Sequence, residues 1–460
     1  MVSPALVKEF QRLLGKEQVF LEETDRATYA YDAAVLEPVL PAIALRPRTQ
    51  EELGRVVALC HEHGLPLTVR GAGTNLSGGS IPGRGGAVVL TTALNRILEI
   101  NTADLYAVVE PGVVTASLAG AVEAQGLFYP PDPGSMAVST LGGNVAENAG
   151  GLRGLKYGVT RDYVMGLTFF AASGETVKTG SRTVKCVSGY NLAALLVGSE
   201  GTLGVISQII LKLIPLPAAR RSMLATFATM GQASETVAAI IAQRIVPATL
   251  EILDNFTIRA VEDFSRAGLP VEAEALLLIE VDGHPAVVAE EAEKVETICG
   301  KLGATQIRVA RNAAERDRVW SARRNALPAL AKLKPTCVLE DATVPRSQIP
   351  AMIQALEDIS REFDLPIGTF GHAGDGNLHP TILTDRRNRQ EWARVEAAVE
   401  AIFDKALALG GTLSGEHGIG AAKARFLAKE FGQGTILFSK KIKAAVDPLK
   451  ILNPGKIIGE

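Results

Sequence analysis

Residues 70–80 read RGAGTNLSGGS: four glycines in eleven positions, with an apolar strand-like run on either side and no helix after them. Glycines at this density free the backbone to turn several N–H groups toward one point, which makes an anion-binding nest. An ordinary surface loop can have the same composition. The flanks restrict what the loop can serve. TQEELGRVVALCHEHG (49–64) predicts a helix, with Thr49 and Glu52 as a capping box, Leu53, Val56, Val57 and Cys60 on one face, and Gly64 as its stop. LPLTVR predicts a strand entering the loop, and IPGRGGAVVLTT a strand leaving it. A nicotinamide-type Rossmann unit needs G-x-G-x-x-G opening a helix. Here Leu76 stands where the third glycine should be, and no G-x-x-x-x-G-K-[ST] occurs. A phosphate in this loop would be held by backbone amides between two strands.

A chain of 460 residues has room for two or more domains with real cores. A net charge of −3, with both signs spread throughout, gives no electrostatic footprint for nucleic acid. The start, MVSPALVKEFQRLLGKEQ, has the pattern of an amphipathic helix rather than a signal peptide. No apolar run reaches the ~20 residues of a membrane span. The four cysteines, Cys60, Cys186, Cys299 and Cys337, lack C-x-x-C spacing, which argues against a disulfide framework or an iron–sulfur cluster. These features suit a cytoplasmic enzyme.

Two further loops share the first one's composition: YPPDPGSMAVSTLGGNVAENAGGLRGLKYGVTRDYV (129–164) and GSEGTLGVIS (198–207). Long polar loops in compact domains are usually functional. Together the three could clothe an extended ligand with a pyrophosphate, a ribityl-like chain and a planar ring. The prolines and arginines of LIPLPAARRS (213–222) mark a boundary. Beyond it MLATF, GQASETVAAIIAQRI, ATLEILD, NFTIRAVEDFS and EALLLIEVDG alternate strand and helix patterns, which predicts an α+β domain with helices on one face of a sheet.

RGAGTNLSGG, VVEPGV, PPDPGS, TLGGNVAENAGG, KYGVTRDYV, GSEGTLGVI and the tail LNPGK together resemble the FAD-linked oxidases of the vanillyl-alcohol-oxidase/p-cresol-methylhydroxylase superfamily. Within it the chain is similar to the FAD subunit of bacterial glycolate oxidases and to D-lactate and D-2-hydroxyglutarate dehydrogenases. The resemblance runs over nearly the whole length. It implies an α+β protein: a two-part FAD-binding domain of the p-cresol-methylhydroxylase type, residues 1–214 completed by 447–460, and an α+β substrate (cap) domain with an antiparallel sheet, residues 215–446, carrying a metal site and C-terminal helices. It places Arg70, Gly71, Gly73, Thr74, Asn75, Gly78 and Gly79 around the FAD pyrophosphate. Pro131, Ser135, Ser139, Gly142, Asn144, Asn148, Gly201 and Ile206 would line the rest of the cofactor, and Asn453 would return to the flavin domain near the ring. Some relatives bond flavin covalently through a histidine in the first loop; this chain has none there, so non-covalent FAD is expected. His61 and His63 fall on the preceding helix and are expected to be solvated.

Half of the six histidines fall in FGHAGDGNLHP and SGEHGIG: His372, His379 and His417, with Glu416 adjacent. The glycine-rich turn can bring His372 and His379 to one point. Two histidines and Glu416 are a sensible set for a divalent metal with open positions; loop histidines held by hydrogen bonds are the plainer reading of the pair alone. The resemblance favours the metal (Zn, Mn or Fe), with Asp375 as the turn residue. His417 is the candidate base, because imidazole accepts a proton near neutral pH. Of Arg323 and Arg324 in VWSARRNALPAL, the resemblance makes Arg323 the clamp on the substrate carboxylate. Relatives acting on 2-hydroxyglutarate add a hydroxyl and a lysine after that arginine, where this chain has Leu327 and Leu339 beside Glu340 and Asp341. The expected activity is oxidation of a short 2-hydroxy acid, glycolate or D-lactate, by hydride transfer to flavin N5. Electrons would leave to an iron–sulfur subunit, an electron-transferring flavoprotein or a quinone, with any membrane association peripheral and through that partner. A D-2-hydroxyglutarate dehydrogenase and an electron-relay flavin subunit are the alternatives.

Overall fold

The helix Gln50–Glu62 starts at Thr49, whose hydroxyl accepts the Glu52 N–H at 3.1 Å, and it ends before Gly64 at φ 58°. Glu52 returns its carboxylate to the Arg48 N–H at 2.6 Å rather than to the cap residue itself. Leu53, Val56, Val57 and Cys60 are buried, the face that the 3.6 period requires. Strands Leu67–Arg70 and Ala87–Leu90 follow and pair in parallel with the first loop between them. The computed structural model describes residues 2–83 and 85–459.

Two compact units make up the chain. The first comprises Met1–Gly150, Val159–Leu216 and Glu416–Glu460. It holds a four-stranded sheet in the order Val19–Phe20, Ile43–Leu45, Ala87–Leu90, Leu67–Arg70, and a five-stranded antiparallel sheet in the order Ile97–Asn101, Tyr106–Val109, Val205–Lys212, Val164–Phe170, Thr176–Gly180. The last segment joins this unit from residue 416 rather than 447. Ala421 and Ala422 donate to the Ser77 carbonyl, and Leu67 donates to the Ile451 carbonyl. Lys443, 9% exposed, fixes the final turn by donating to the carbonyls of Thr202 and Leu452 and to Asp447.

The second unit comprises Gly151–Gly158 and Pro217–Gly415. The short segment 151–158 belongs to it because Lys156 Nζ lies 2.6 Å from Asp282 Oδ1 and Tyr157 donates to Asp282 Oδ2 at 2.8 Å. Its eight-stranded antiparallel sheet runs in the order Ala304–Val309, Ala219–Phe227, Ala275–Gly283, Thr249–Asp254, Ile367–His372, Asn377–Thr384, Thr336–Leu339, with Ala342–Thr343 also on Asn377–Thr384. The expectation of helices on one face is corrected here. Residues 275–282 are buried in succession, which requires cover on both faces. Leu224, Leu276 and Leu278 lie in one cluster with Ile258, Val261, Trp320 and Leu330. The alternate residues Met223, Ala225, Leu277 and Ile279 are equally buried, and helices Met230–Ala242 and Pro285–Lys301 pack on the same strands.

Candidate functional site

In the first unit the sequence builds a cradle from backbone. Among the described residues, the N–H groups from Ala72 to Gly78 have no acceptor within the protein. Gly73 and Gly78 have φ of 71° and 75°, which an L side chain rarely adopts. A Cβ on Gly71 would run into the Thr140 hydroxyl. Asn75 shapes the loop, donating to Asp32 Oδ2 at 2.6 Å and accepting from the Ser80 hydroxyl at 2.7 Å. A diphosphate fits this set, because it supplies acceptors to converging amides without needing a helix terminus. Asn453, 2% exposed, ties the loop to GSEG: its Nδ2 donates to the carbonyls of Gly79 (2.8 Å) and Glu200 (2.6 Å), and its Oδ1 accepts from Thr68.

Other expected cofactor residues fall in the same unit, several with side chains committed to protein partners. Arg70 donates from Nη1 to the Tyr31 carbonyl at 2.6 Å. Ser139 and Asn144 both meet the buried Thr115 hydroxyl, at 3.0 and 2.8 Å. Gly142 donates to the Pro111 carbonyl, Ser135 accepts from Ser139, and Asn148 (φ 53°) accepts from the Arg161 N–H. Pro131 is buried, Thr74 lies in the glycine loop, Gly201 has φ 70°, and Ile206 is 7% exposed opposite Phe169. Glu416 packs against Gly150, and His417 Nε2 lies 4.0 Å from Glu416 Oε1; both open the last segment of this first unit. His63 is exposed and His61 half-buried.

Sequence reasoning missed a buried acidic pair here. Glu147 accepts from the Ser77 hydroxyl at 3.2 Å, and Glu200 accepts the Ile419 N–H at 2.7 Å. Both carboxylates converge on Gly418, where a Cβ would find no space. Burial, then the neighbouring Glu200, pushes Glu147 well above the usual carboxylate range. Burial also raises Glu200, against hydrogen bonds from the Gly420 and Ile419 amides. Burial thus makes both carboxyls hold a proton more readily than an exposed glutamate would.

In the second unit three adjacent strands present one polar spot. His372 and His379 sit at the mouth of the hairpin, with Phe370 opposite His379, and their ring centroids are 5.0 Å apart at 90°. The intervening turn is held by Asp375, whose Oδ1 accepts the Asn377 N–H. Ile252 pairs with Gly371, so Glu251 on the next strand faces His372. Glu251 is fully buried; its Oε1 is 2.7 Å from His372 Nδ1 and its Oε2 is 2.6 Å from Arg323 Nε. Burial alone would raise this carboxyl, but its interactions with His372 and Arg323 outweigh burial and hold it below its usual range. Arg323 is 12% exposed, with its guanidinium 4.7 Å from the Phe370 ring centre. It is not a solvated helix charge, whereas Arg324 is exposed and donates to the Asp317 carbonyl.

Both imidazoles turn Nδ1 toward a buried carboxylate: His372 to Glu251, and His379 to Asp341 at 3.3 Å, with Ser414 donating to the other Asp341 oxygen. Metal-binding histidines have the kind of outer partner that Glu251 is to His372, which leaves its Nε2 as ligand. Glu251 was legible only as the mid-strand charge of TLEILD, which ends in Asp254.

The sequence matches the model of the FAD linked oxidases, C-terminal domain, over residues 216–457 and that of the FAD binding domain over residues 41–180. It is 48% identical over 460 residues to the glycolate oxidase subunit GlcD of Bacillus subtilis (strain 168), covering 100% of this chain and 98% of that one. The D-lactate dehydrogenase of Anaerostipes hadrus is 34% identical over 466 residues, covering 99% and 98%. Among solved structures, p-cresol methylhydroxylase with substrate bound superposes with a TM-score of 0.82 at 19% identity, covering 99% of this chain and 96% of that one, a likeness of fold. With both halves matched and relatives aligned along its full length, the chain belongs to the FAD-linked oxidase family.

Proposed function

We propose that the protein is an FAD-dependent dehydrogenase that oxidises glycolate or D-lactate to the 2-oxo acid. The observation that carries this reading is the buried Glu251–Arg323 pair next to His372 and His379. A planar cation and two imidazoles on one sheet face match the carboxylate and hydroxyl of a 2-hydroxy acid. FAD, when bound, accepts the hydride of the Cα–H bond. It would be held without a covalent bond by the amides of Ala72–Gly78, with Gly71, Thr74, Asn75, Gly79 and Asn453 shaping the loop. Arg323 binds and orients the acid's carboxylate through its terminal nitrogens. His372 and His379 would hold a divalent ion, with Glu416 as third ligand on the strength of the resemblance, and that ion would lower the pKa of the substrate hydroxyl. His417 takes the hydroxyl proton.

Electrons leave to an acceptor other than nicotinamide: an iron–sulfur subunit, an electron-transferring flavoprotein or a quinone. The name of the Bacillus subtilis relative, a glycolate oxidase subunit, supports a partner chain. No helix among the described residues is long and apolar enough to cross a membrane. Anaerobic mixing with a panel of 2-hydroxy acids tests the reading. Glycolate or D-lactate should bleach the flavin band; a flavin that stays oxidised with every acid sinks it.

A further inference from the structure

We infer that Glu251 is a shared positioning residue that sets both the carboxylate clamp and the metal affinity of the same site. This rests on the roles proposed above for Arg323, His372 and His379. The geometry is specific: one fully buried carboxylate spends Oε1 on His372 Nδ1 (2.7 Å) and Oε2 on Arg323 Nε (2.6 Å). Accepting the Nδ1–H fixes the His372 tautomer, so that Nε2 presents its lone pair as a ligand. Accepting the Nε–H fixes the guanidinium plane against Phe370, so that its two terminal nitrogens face an incoming carboxylate in parallel. Two side chains, from the strand Ile367–His372 and the helix Ala313–Arg324, are thereby held in one arrangement by one anion on the strand Thr249–Asp254.

Replacing Glu251 by glutamine tests this sharply, because an amide has one acceptor oxygen and two N–H groups. It can satisfy His372 or Arg323, and it must set a donor against the other. Glu251→Gln is therefore expected to raise KM for glycolate and D-lactate at least about tenfold. In the metal-stripped flavoprotein titrated with Zn²⁺ or Mn²⁺ alone, it should weaken binding about 10- to 100-fold, as lost outer partners of metal ligands do. FAD content should stay at the wild-type level. Arg323→Met separates the two effects. It should raise KM while leaving metal affinity within about threefold of wild type, because Glu251 still holds His372.

Glu251→Asp is the second variant if the glutamine protein does not fold. Shortened by one methylene, it cannot reach both partners, and at least one of the two readouts must move. Wild-type metal affinity and KM in the folded variant overturn the inference, as does an Arg323→Met protein that loses the metal as completely as Glu251→Gln. A wild-type protein that binds neither ion overturns the metal reading together with this inference. A wild-type protein that binds one, with Glu251→Gln binding it equally well, overturns this inference alone.

Discussion

Asn453 reaches Gly79 across 374 positions of sequence: its amide nitrogen lies 2.8 Å from the Gly79 carbonyl. The same nitrogen donates to the Glu200 carbonyl, so one side chain from the tail ties the first glycine loop to GSEG. Asn453→Ala would leave two buried carbonyls and the Thr68 hydroxyl without their partner. Unsatisfied buried groups of this kind cost about 1–3 kcal/mol each, so a loss of at least about 3 kcal/mol and a loosened cradle are expected. FAD-to-protein ratios after desalting should fall well below one for Asn453→Ala and stay near one for wild type. Full retention would mean the two loops hold their shape without the tail.

FAD should leave with the supernatant when the protein is precipitated by acid. The glycine loop offers backbone amides and no histidine between Arg70 and Ser80, so it has no imidazole to bond the flavin ring. Yellow colour that stays with the pellet would contradict this.

Glu147 predicts a pH dependence. Its folded-state pKa is raised by burial and by Glu200, so the native chain keeps a proton that the unfolded chain releases above about 4.5. Stability is therefore lost as pH climbs above that value, by up to about 1.4 kcal/mol per pH unit, until the folded pKa is passed. Glu147→Gln removes this cost and keeps an amide against Ser77. The melting temperature of the variant minus that of wild type should grow between about pH 5.5 and pH 8.5. A difference that stays flat or shrinks shows that Glu147 is ionised in the folded protein.

What the sequence disclosed follows from how far apart the interacting residues are. The Thr49 cap, the strands around the first loop and the absence of a helix after it depend on neighbours within a few positions. The three glycine loops are legible because positive-φ positions select glycine locally. Glu251, Glu147 and Glu200 depend on partners 121, 70 and 219 residues away. Their surroundings exist only once the sheets have formed. The same reason hid the helices on the second face of the sheet, because local periodicity does not say which face a helix covers. Arg70 is legible from the motif, while the Tyr31 carbonyl that takes one of its N–H groups lies 39 residues away.

The substrate preference rests on what stands beside Arg323. A second carboxylate, as in D-2-hydroxyglutarate, needs a cation or several donors, because burying it unpaired costs far more than burying a hydrogen or a methyl group. At the places where relatives acting on that acid add a hydroxyl and a lysine, Leu327 and Leu339 are partly buried and pack on the apolar cluster that contains Phe370. Phe370 is the ring under the Arg323 guanidinium, so the apolar wall adjoins the clamp. Arg324 offers no substitute in this arrangement, being exposed with Nη2 on the Asp317 carbonyl. Glu340 and Asp341 beside Leu339 add negative charge. Glycolate and D-lactate should therefore exceed D-2-hydroxyglutarate in kcat/KM by at least about tenfold, the scale on which a polar group meeting an apolar pocket is rejected. The measurement is kcat/KM for the three acids with an artificial dye as acceptor. Leu339→Lys supplies the missing cation and should narrow the gap by raising the hydroxyglutarate value. A wild-type preference for hydroxyglutarate would mean that a cation outside this wall receives the second carboxylate.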